Sequence, residues 1–107
     1  MDQSVLSDPA LRRFRAAVGE VYGERLDRVV LFGSRARGDA RPDSDYDVAV
    51  FIHNPGSRWD EIGRLAAITT SILLDTEAYI SAKPFRAGAY EDQTLFMGEV
   101  RRDGLDL

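Results

Sequence analysis

Cysteine is absent from this 107-residue chain, so the sequence excludes a disulfide framework, a thiolate metal site and a cysteine nucleophile. Lysine occurs once, at Lys83, and histidine once, at His53, so arginine carries nearly all the positive charge. No apolar run is long enough to span a membrane, and the first residues lack the charged-then-apolar order of a signal peptide. We therefore expect a cytoplasmic protein with no membrane association.

The formal net charge of −4 argues against a protein that coats nucleic acid through bulk electrostatics. Hydrophobic residues make up 44% of the chain and charged residues 30%, which is typical of a globular protein. The length fits one domain over residues 1–107, in which residues 1–8 are expected to form a flexible lead.

Hydrophobic periodicity predicts helices that alternate with short strands. Helices are predicted over residues 9–22, from residue 57 onward and over residues 91–103, and strands over residues 28–32, 45–52 and 75–81. Trp59 and Leu95 are assigned to buried helix faces. This order predicts an α/β (α+β) fold, with a small mixed β-sheet and helices packed on one face.

Two features with chemical potential lie close together between residues 31 and 51. Gly33 and Ser34 end a strand with a small turn, which lets backbone N–H groups approach a phosphate. After ten further residues, Asp45 and Asp47 enter the next strand, where the period of two places both carboxylates on one face. Such a pair repels itself unless a cation binds, and its oxygen atoms suit magnesium.

The Gly33-Ser34 pair, ten residues and then Asp45-Tyr46-Asp47 resemble the signature of minimal nucleotidyltransferases, within the DNA polymerase β-like nucleotidyltransferase superfamily. The resemblance implies a nucleotidyltransferase-like fold. It also implies transfer of a nucleoside monophosphate from a nucleoside triphosphate, with ATP as the expected substrate and two Mg²⁺ ions as the expected cofactors.

Two metal ions about 4 Å apart usually require a third carboxylate beside the first two. Glu77 is the candidate, because it falls within the predicted third strand among apolar neighbours, where an unpartnered carboxylate is costly. The resemblance also places the third acidic residue on the strand after the central helix. Asp75, one alternation earlier on the same strand face, is the alternative.

These considerations give a predicted site with two sets of residues. The expected catalytic and metal-binding residues are Asp45, Asp47 and Glu77. The expected phosphate-binding residues are Gly33, Ser34, Arg35 and Arg37, because arginine suits bidentate phosphate contacts. Arg35 is favoured among the side chains, with Arg37 as its alternative.

The resemblance also suggests a partner. Stand-alone minimal nucleotidyltransferases are typically paired with a helical HEPN-type toxin and act as the antitoxin, which can transfer AMP to a tyrosine of the toxin. A chain of this length leaves little room for an acceptor-binding domain, which agrees with a protein acceptor. Two alternatives stay open: a non-catalytic module that neutralises its partner by contact, and a transferase acting on a small molecule such as an antibiotic.

Overall fold

The structure is a computed structural model that describes residues 4–107, so the first part of the expected flexible lead lies outside the described residues. In the described part of that lead, Ser4–Ser7 form one 3₁₀ turn. Val5 and Leu6 in this turn pack against the main core. Val5 and Leu6 therefore attach the described part of the lead to the domain.

Helices and strands alternate along the described chain, and their bounds are as follows: α1 (Pro9–Tyr22), β1 (Leu26–Phe32), α2 (Ser34–Arg37), β2 (Tyr46–Ile52), α3 (Arg58–Thr76), β3 (Ile80–Arg86), α4 (Leu95–Asp103) and β4 (Leu105–Asp106). None of the helices within residues 4–107 has the combination of length and apolar character needed to cross a bilayer.

The two longest helices begin where local capping groups predict that they should. The Asp8 side chain accepts a hydrogen bond of 2.8 Å from the Ala10 N–H at the start of α1. The Ser57 hydroxyl accepts one of 3.1 Å from the Asp60 N–H at the start of α3. Each cap satisfies a backbone donor that has no partner within the helix, so sequence patterns fix these boundaries.

The strands form one mixed sheet in the order β3-β2-β1-β4. β1 pairs antiparallel with β2 and with β4, whereas β2 and β3 are parallel. The α3 helix supplies the crossover that parallel neighbours need. The predicted mixed α/β fold is confirmed.

Alternation along β2 divides the interior into two clusters. The Tyr46, Val48 and Val50 side chains face the larger cluster, which includes the buried stripes of α1 and α3. Ala49 and Phe51 face the smaller cluster, which contains Met97 and Val100 of α4. The last helix therefore covers part of the sheet face opposite α1 and α3. The sequence analysis expected helices on one face only, so this placement was not predicted.

The third strand was predicted over residues 75–81, and that position is wrong. The α3 helix continues through Thr76, whose hydroxyl donates a 2.7 Å hydrogen bond to the Ile72 carbonyl. It ends at Glu77 in the left-handed conformation, with φ of 65°. β3 then runs through Pro84, which the sheet tolerates because β3 is an edge strand and needs no donor on its outer side.

Two residues predicted to be buried are exposed instead. Leu95 is 94% exposed, because α4 starts at this residue after the Thr94 cap and not at Glu91 as predicted. Trp59 is 82% exposed, whereas Glu61 is only 1% exposed. Residues two apart lie on nearly opposite sides of a helix, so burial of Glu61 in the first turn of α3 directs Trp59 toward solvent.

Candidate active site

Gly33 forms the turn between β1 and α2 in a backbone conformation that essentially only glycine adopts, with φ of 75° and ψ of −159°. A Cβ atom at this position would lie 2.5 Å from the Asp47 Oδ2 atom. Phe32, just before the turn, pairs directly with Asp47 across the antiparallel ladder. The turn and the second carboxylate, which are distant in sequence, are therefore in contact.

Asp45 and Asp47 flank the first residue of β2. Asp45 is exposed and precedes the strand, Asp47 is half-buried, and Tyr46 between them is buried on the other sheet face. Burial raises the pKa of the Asp47 carboxyl, and the negative charge of Asp45 raises it further, against the opposing effects of Lys83 and Arg37. The two carboxylates are thus electrostatically coupled, as their spacing predicts.

This pair provides only oxygen ligands, and both residues lie at the start of β2. Mg²⁺ is commonly bound through one or two carboxylates together with substrate phosphates and water, so the donor set fits one such ion. Within residues 4–107 no group of three or more histidine, cysteine, aspartate or glutamate side chains is placed to hold a metal.

The structure does not bring Glu77 or Asp75 to the carboxylate pair. Glu77 caps the C-terminus of α3 and lines a cleft of about 340 Å³ with Ser44 and Tyr46, on the side away from Asp47. Asp75 lies in the last turn of α3 and forms a 2.8 Å ion pair with Arg13 of α1. Both assignments assumed a strand over residues 75–81. Asp75 instead lies in α3, Glu77 is the cap that ends this helix, and β3 begins only at Ile80, so neither carboxylate is on a strand beside Asp47.

Arg35 contacts the loop that leads to the carboxylates. Its guanidinium donates hydrogen bonds to the Ser44 carbonyl, at 2.7 and 3.2 Å, and to the Pro42 carbonyl, at 3.1 Å. The same group lies 4.3 Å from the centre of the Tyr46 ring. These contacts hold the backbone immediately before Asp45, a function that the sequence analysis did not foresee.

Arg37 points toward the side of the site covered by α4. It forms ion pairs with Asp39, at 3.2 Å, and with Asp103 of α4, at 3.7 Å. Its charge is also near enough to lower the pKa of the Asp47 carboxyl. Of the two arginines predicted to bind phosphate, Arg37 is thus the one whose charge reaches Asp47.

Lys83 is a site residue that the sequence analysis missed. Asp47 pairs with Ser81 in the parallel ladder, so Lys83, two residues further, lies on the same face of the sheet as Asp47. The Lys83 ammonium lies 5.9 Å from the centre of the Phe32 ring, which also flanks the Gly33 turn. The one signal in the sequence was that Lys83 is the only lysine of the chain.

A small mixed sheet in which a glycine-serine turn lies against an Asp-x-Asp strand is typical of a nucleotidyltransferase domain. The family model described as a nucleotidyltransferase domain matches residues 11–100, which is most of the chain. The chain belongs to this nucleotidyltransferase domain family and is a nucleotidyltransferase enzyme.

The chain is similar to three known proteins. The "Putative protein adenylyltransferase" of Methanocaldococcus jannaschii is 40% identical over 97 residues, which cover 91% of this chain and 94% of that protein. A solved "putative minimal nucleotidyltransferase" matches all of this chain and 97% of its own, with a TM-score of 0.62 and 22% identity. A chain from the tri-AMPylated Shewanella oneidensis HEPN toxin in complex with its MNT antitoxin has a TM-score of 0.52 and 14% identity, covering 91% of this chain and 70% of its own.

Proposed function

We propose that this enzyme transfers AMP from ATP to a hydroxyl group of a protein acceptor, with Mg²⁺ bound by Asp45 and Asp47. The observation that carries the proposal is the contact between the Gly33 turn and the Asp47 carboxylate. That contact joins a position where a phosphate can approach the backbone to a position where a cation can bind. The relationship to a protein named as an adenylyltransferase supports AMP as the transferred group.

In this reaction an acceptor hydroxyl oxygen forms a bond to the α-phosphorus of ATP. The bond between that phosphorus and the bridging oxygen breaks, pyrophosphate leaves with the electron pair, and the hydroxyl proton is released to solvent. The bound ion would neutralise phosphate charge, which is the main requirement of such transfers. Within the chain, Ser34 would donate a hydrogen bond to a phosphate oxygen, and Arg37 would add positive charge.

Arg35 has a different part in this proposal from the one the sequence suggested. Its hydrogen bonds to Ser44 and Pro42 fix the backbone just before Asp45. A carboxylate on a well-ordered backbone loses less conformational entropy when it binds a cation. Arg35 is therefore proposed as a positioning residue for Asp45.

The proposed acceptor is a tyrosine of a HEPN-type toxin, with this chain as its antitoxin. The support is the resemblance of the motif to that group of proteins and the likeness of this fold to a chain from a complex of an AMPylated HEPN toxin with its antitoxin. A reaction that consumes ATP and acts on such a toxin belongs in the cytoplasm, which is where we propose that this protein acts.

The test is transfer of label from α-³²P-ATP, with Mg²⁺, to a purified HEPN-type partner. We expect Asp47→Asn to reduce labelling at least about 100-fold, the scale seen when one group that stabilises charge in a transition state is lost. Asp27→Asn makes the same chemical change at an exposed residue that forms an ion pair with His53. Asp27 lies at the opposite end of β1 from Gly33, so this variant should label the partner normally. Normal labelling by Asp47→Asn would overturn the catalytic assignment.

A contact-only antitoxin is the second candidate, and one observation favours it: residues 4–107 contain no three-carboxylate metal cluster. The same variants separate the two functions in cells that express the toxin. If Asp47→Asn still neutralises the toxin while the partner carries no label, binding alone explains the effect. If neutralisation and labelling are lost together, while the variant still binds the toxin, transfer is the function.

A further inference from the structure

Lys83 is a cationic residue beside the candidate active site. It shares a sheet face with Asp47, and Ser81 occupies the β3 position directly opposite Asp47. A carboxylate at position 81, directly beside Asp47, would be placed to add a third metal ligand. The chain instead has the neutral hydroxyl of Ser81 there, with the positive side chain of Lys83 two residues further on the same face.

The surroundings of Lys83 indicate that this charge is available to a ligand. Lys83 is exposed, and the ion pairs found among residues 4–107 involve arginines and His53 but not Lys83. Its neighbour on the same strand, Arg86, is already paired with Asp92 at 3.0 Å. The lysine amine also lies toward the Phe32 ring, which precedes the Gly33 turn, so it is directed to the carboxylate end of the site.

We propose that this enzyme uses a single divalent ion, held by Asp45 and Asp47, and that the Lys83 ammonium binds the triphosphate in place of a second ion. The inference rests on the proposed function, since it names how the same site holds its nucleotide. The fixed ammonium would contact the phosphates directly. An ammonium group needs no carboxylate ligands, which explains why a serine can occupy position 81, where a third carboxylate would be expected.

The first test measures binding of AMP-PNP by calorimetry in EDTA, where no divalent ion contributes. We expect Lys83→Met to weaken binding about tenfold, the loss expected for one charge-assisted contact to a phosphate. Lys83→Arg keeps the positive charge and should recover most of the affinity. Arg12→Met removes a charge from the exposed side of α1, on the far face of the sheet, and should bind as the unmodified protein does.

The second test counts ions by electron paramagnetic resonance of Mn²⁺ titrated into each protein with AMP-PNP. The unmodified chain should bind one tight Mn²⁺ per nucleotide complex, and Lys83→Met should still bind one. Ser81→Asp combined with Lys83→Met builds the missing group of three opposite Asp47 and should bind two.

The outcomes separate this inference from the proposed function. Two tight ions in the unmodified chain, or unchanged AMP-PNP affinity in Lys83→Met, would overturn the inference, while loss of transfer in Asp47→Asn would still support the function. Absence of any nucleotide binding by the unmodified chain would overturn both.

Discussion

The glycine of the turn between β1 and α2 shows how a single residue determines the geometry of the site. Gly33 combines a positive φ with a ψ near −160°, a region in which a Cβ atom clashes with the backbone of its own residue. The space that its missing side chain leaves is occupied by the Asp47 carboxylate. Glycine is therefore required at this position for two reasons: the backbone conformation, and the space that the Asp47 carboxylate occupies.

Replacement of Gly33 by alanine should therefore impair both stability and activity. We expect Gly33→Ala to lower the free energy of unfolding by about 1–3 kcal/mol, the usual cost of a residue in a strained backbone region. Because the new methyl group would overlap Asp47 Oδ2, AMP transfer should also fall strongly. Urea unfolding and the labelling assay measure the two effects.

Gly38 provides the matched control. It too has a positive φ, of 86°, but a Cβ atom there would meet no other atom within 4 Å. Gly38→Ala should cost about 1–2 kcal/mol for the left-handed backbone alone and leave transfer nearly intact in the folded protein. Equal loss of activity in the two variants would show that contact with Asp47 is not what Gly33 provides.

At the scale of elements, α4 covers part of the sheet face on which Asp47 lies. Met97 and Val100 are buried against Val30 and Phe32 of β1, whereas the first residue of the helix points to solvent. The ring of Phe96 packs edge-on against Phe32, with centroids 5.3 Å apart. Packing of this one short helix thus supports the strand end from which the Gly33 turn begins.

Two substitutions in α4 test this assignment of faces. Met97→Ala should lower the free energy of unfolding by about 2–4 kcal/mol, as expected for a large buried side chain cut back to alanine. Leu95→Ala, at the exposed first position, should change it by less than about 0.5 kcal/mol. Chemical denaturation of the two variants measures both changes. A larger loss of stability in Leu95→Ala than in Met97→Ala would show that the assignment of the buried face of α4 is wrong.

The starts of α1 and α3 were predictable and the end of α3 was not, for a local physical reason. Asp8 and Ser57 cap helices through side-chain contacts within three residues, so the sequence displays them directly. The end of α3 depends instead on Glu77 adopting a left-handed conformation, which glycine usually supplies. With no glycine to mark the end, the helix was predicted too short, and the strand and third carboxylate were misplaced with it.

At the scale of the whole molecule, one buried carboxylate joins two distant parts of the chain, residues 22–25 and 56–64. Glu61 of α3 accepts hydrogen bonds from the Tyr22 hydroxyl of α1, at 3.0 Å, and from the Gly56 N–H, at 2.8 Å. Arg64 adds an ion pair of 2.7 Å, and Arg25 one of 3.4 Å. Every partner is a donor, so the cluster is complete only while Glu61 is ionised.

This cluster predicts a loss of stability in acid. Burial alone would raise the pKa of the Glu61 carboxyl, but the donors from Gly56, Arg64 and Tyr22 outweigh it and lower that pKa below its usual value of 4.5. A lowered pKa in the folded state means that stabilisation is present above the unfolded-state pKa and is lost as the pH falls through the folded-state value. The free energy of unfolding should therefore fall as the pH drops below about 4.5, where one proton contributes at most about 1.4 kcal/mol per pH unit.

Glu61→Gln should be less stable at pH 7, by about 1–3 kcal/mol, because buried donors lose their acceptor charge. Its stability should also fall less steeply in acid than that of the unmodified chain. Glu20→Gln, at an exposed position of α1, is the matched control and should retain the original slope. Urea denaturation at a series of pH values measures the difference, and parallel curves for all three proteins would exclude Glu61 as the responsible group.

The sequence by itself determined the mixed fold, the starts of α1 and α3, the Gly33-Ser34 turn, and the placement of Asp45 and Asp47 at the entry to β2. Each of these depends on contacts within a few residues or on the strict alternation of a strand. Tertiary structure alone decided what stands beside the pair: Lys83 and Ser81 in place of Glu77, and Arg35 against the loop before Asp45. Those positions depend on where α3 ends and how β3 aligns with β2, and backbone packing over the whole sheet sets both.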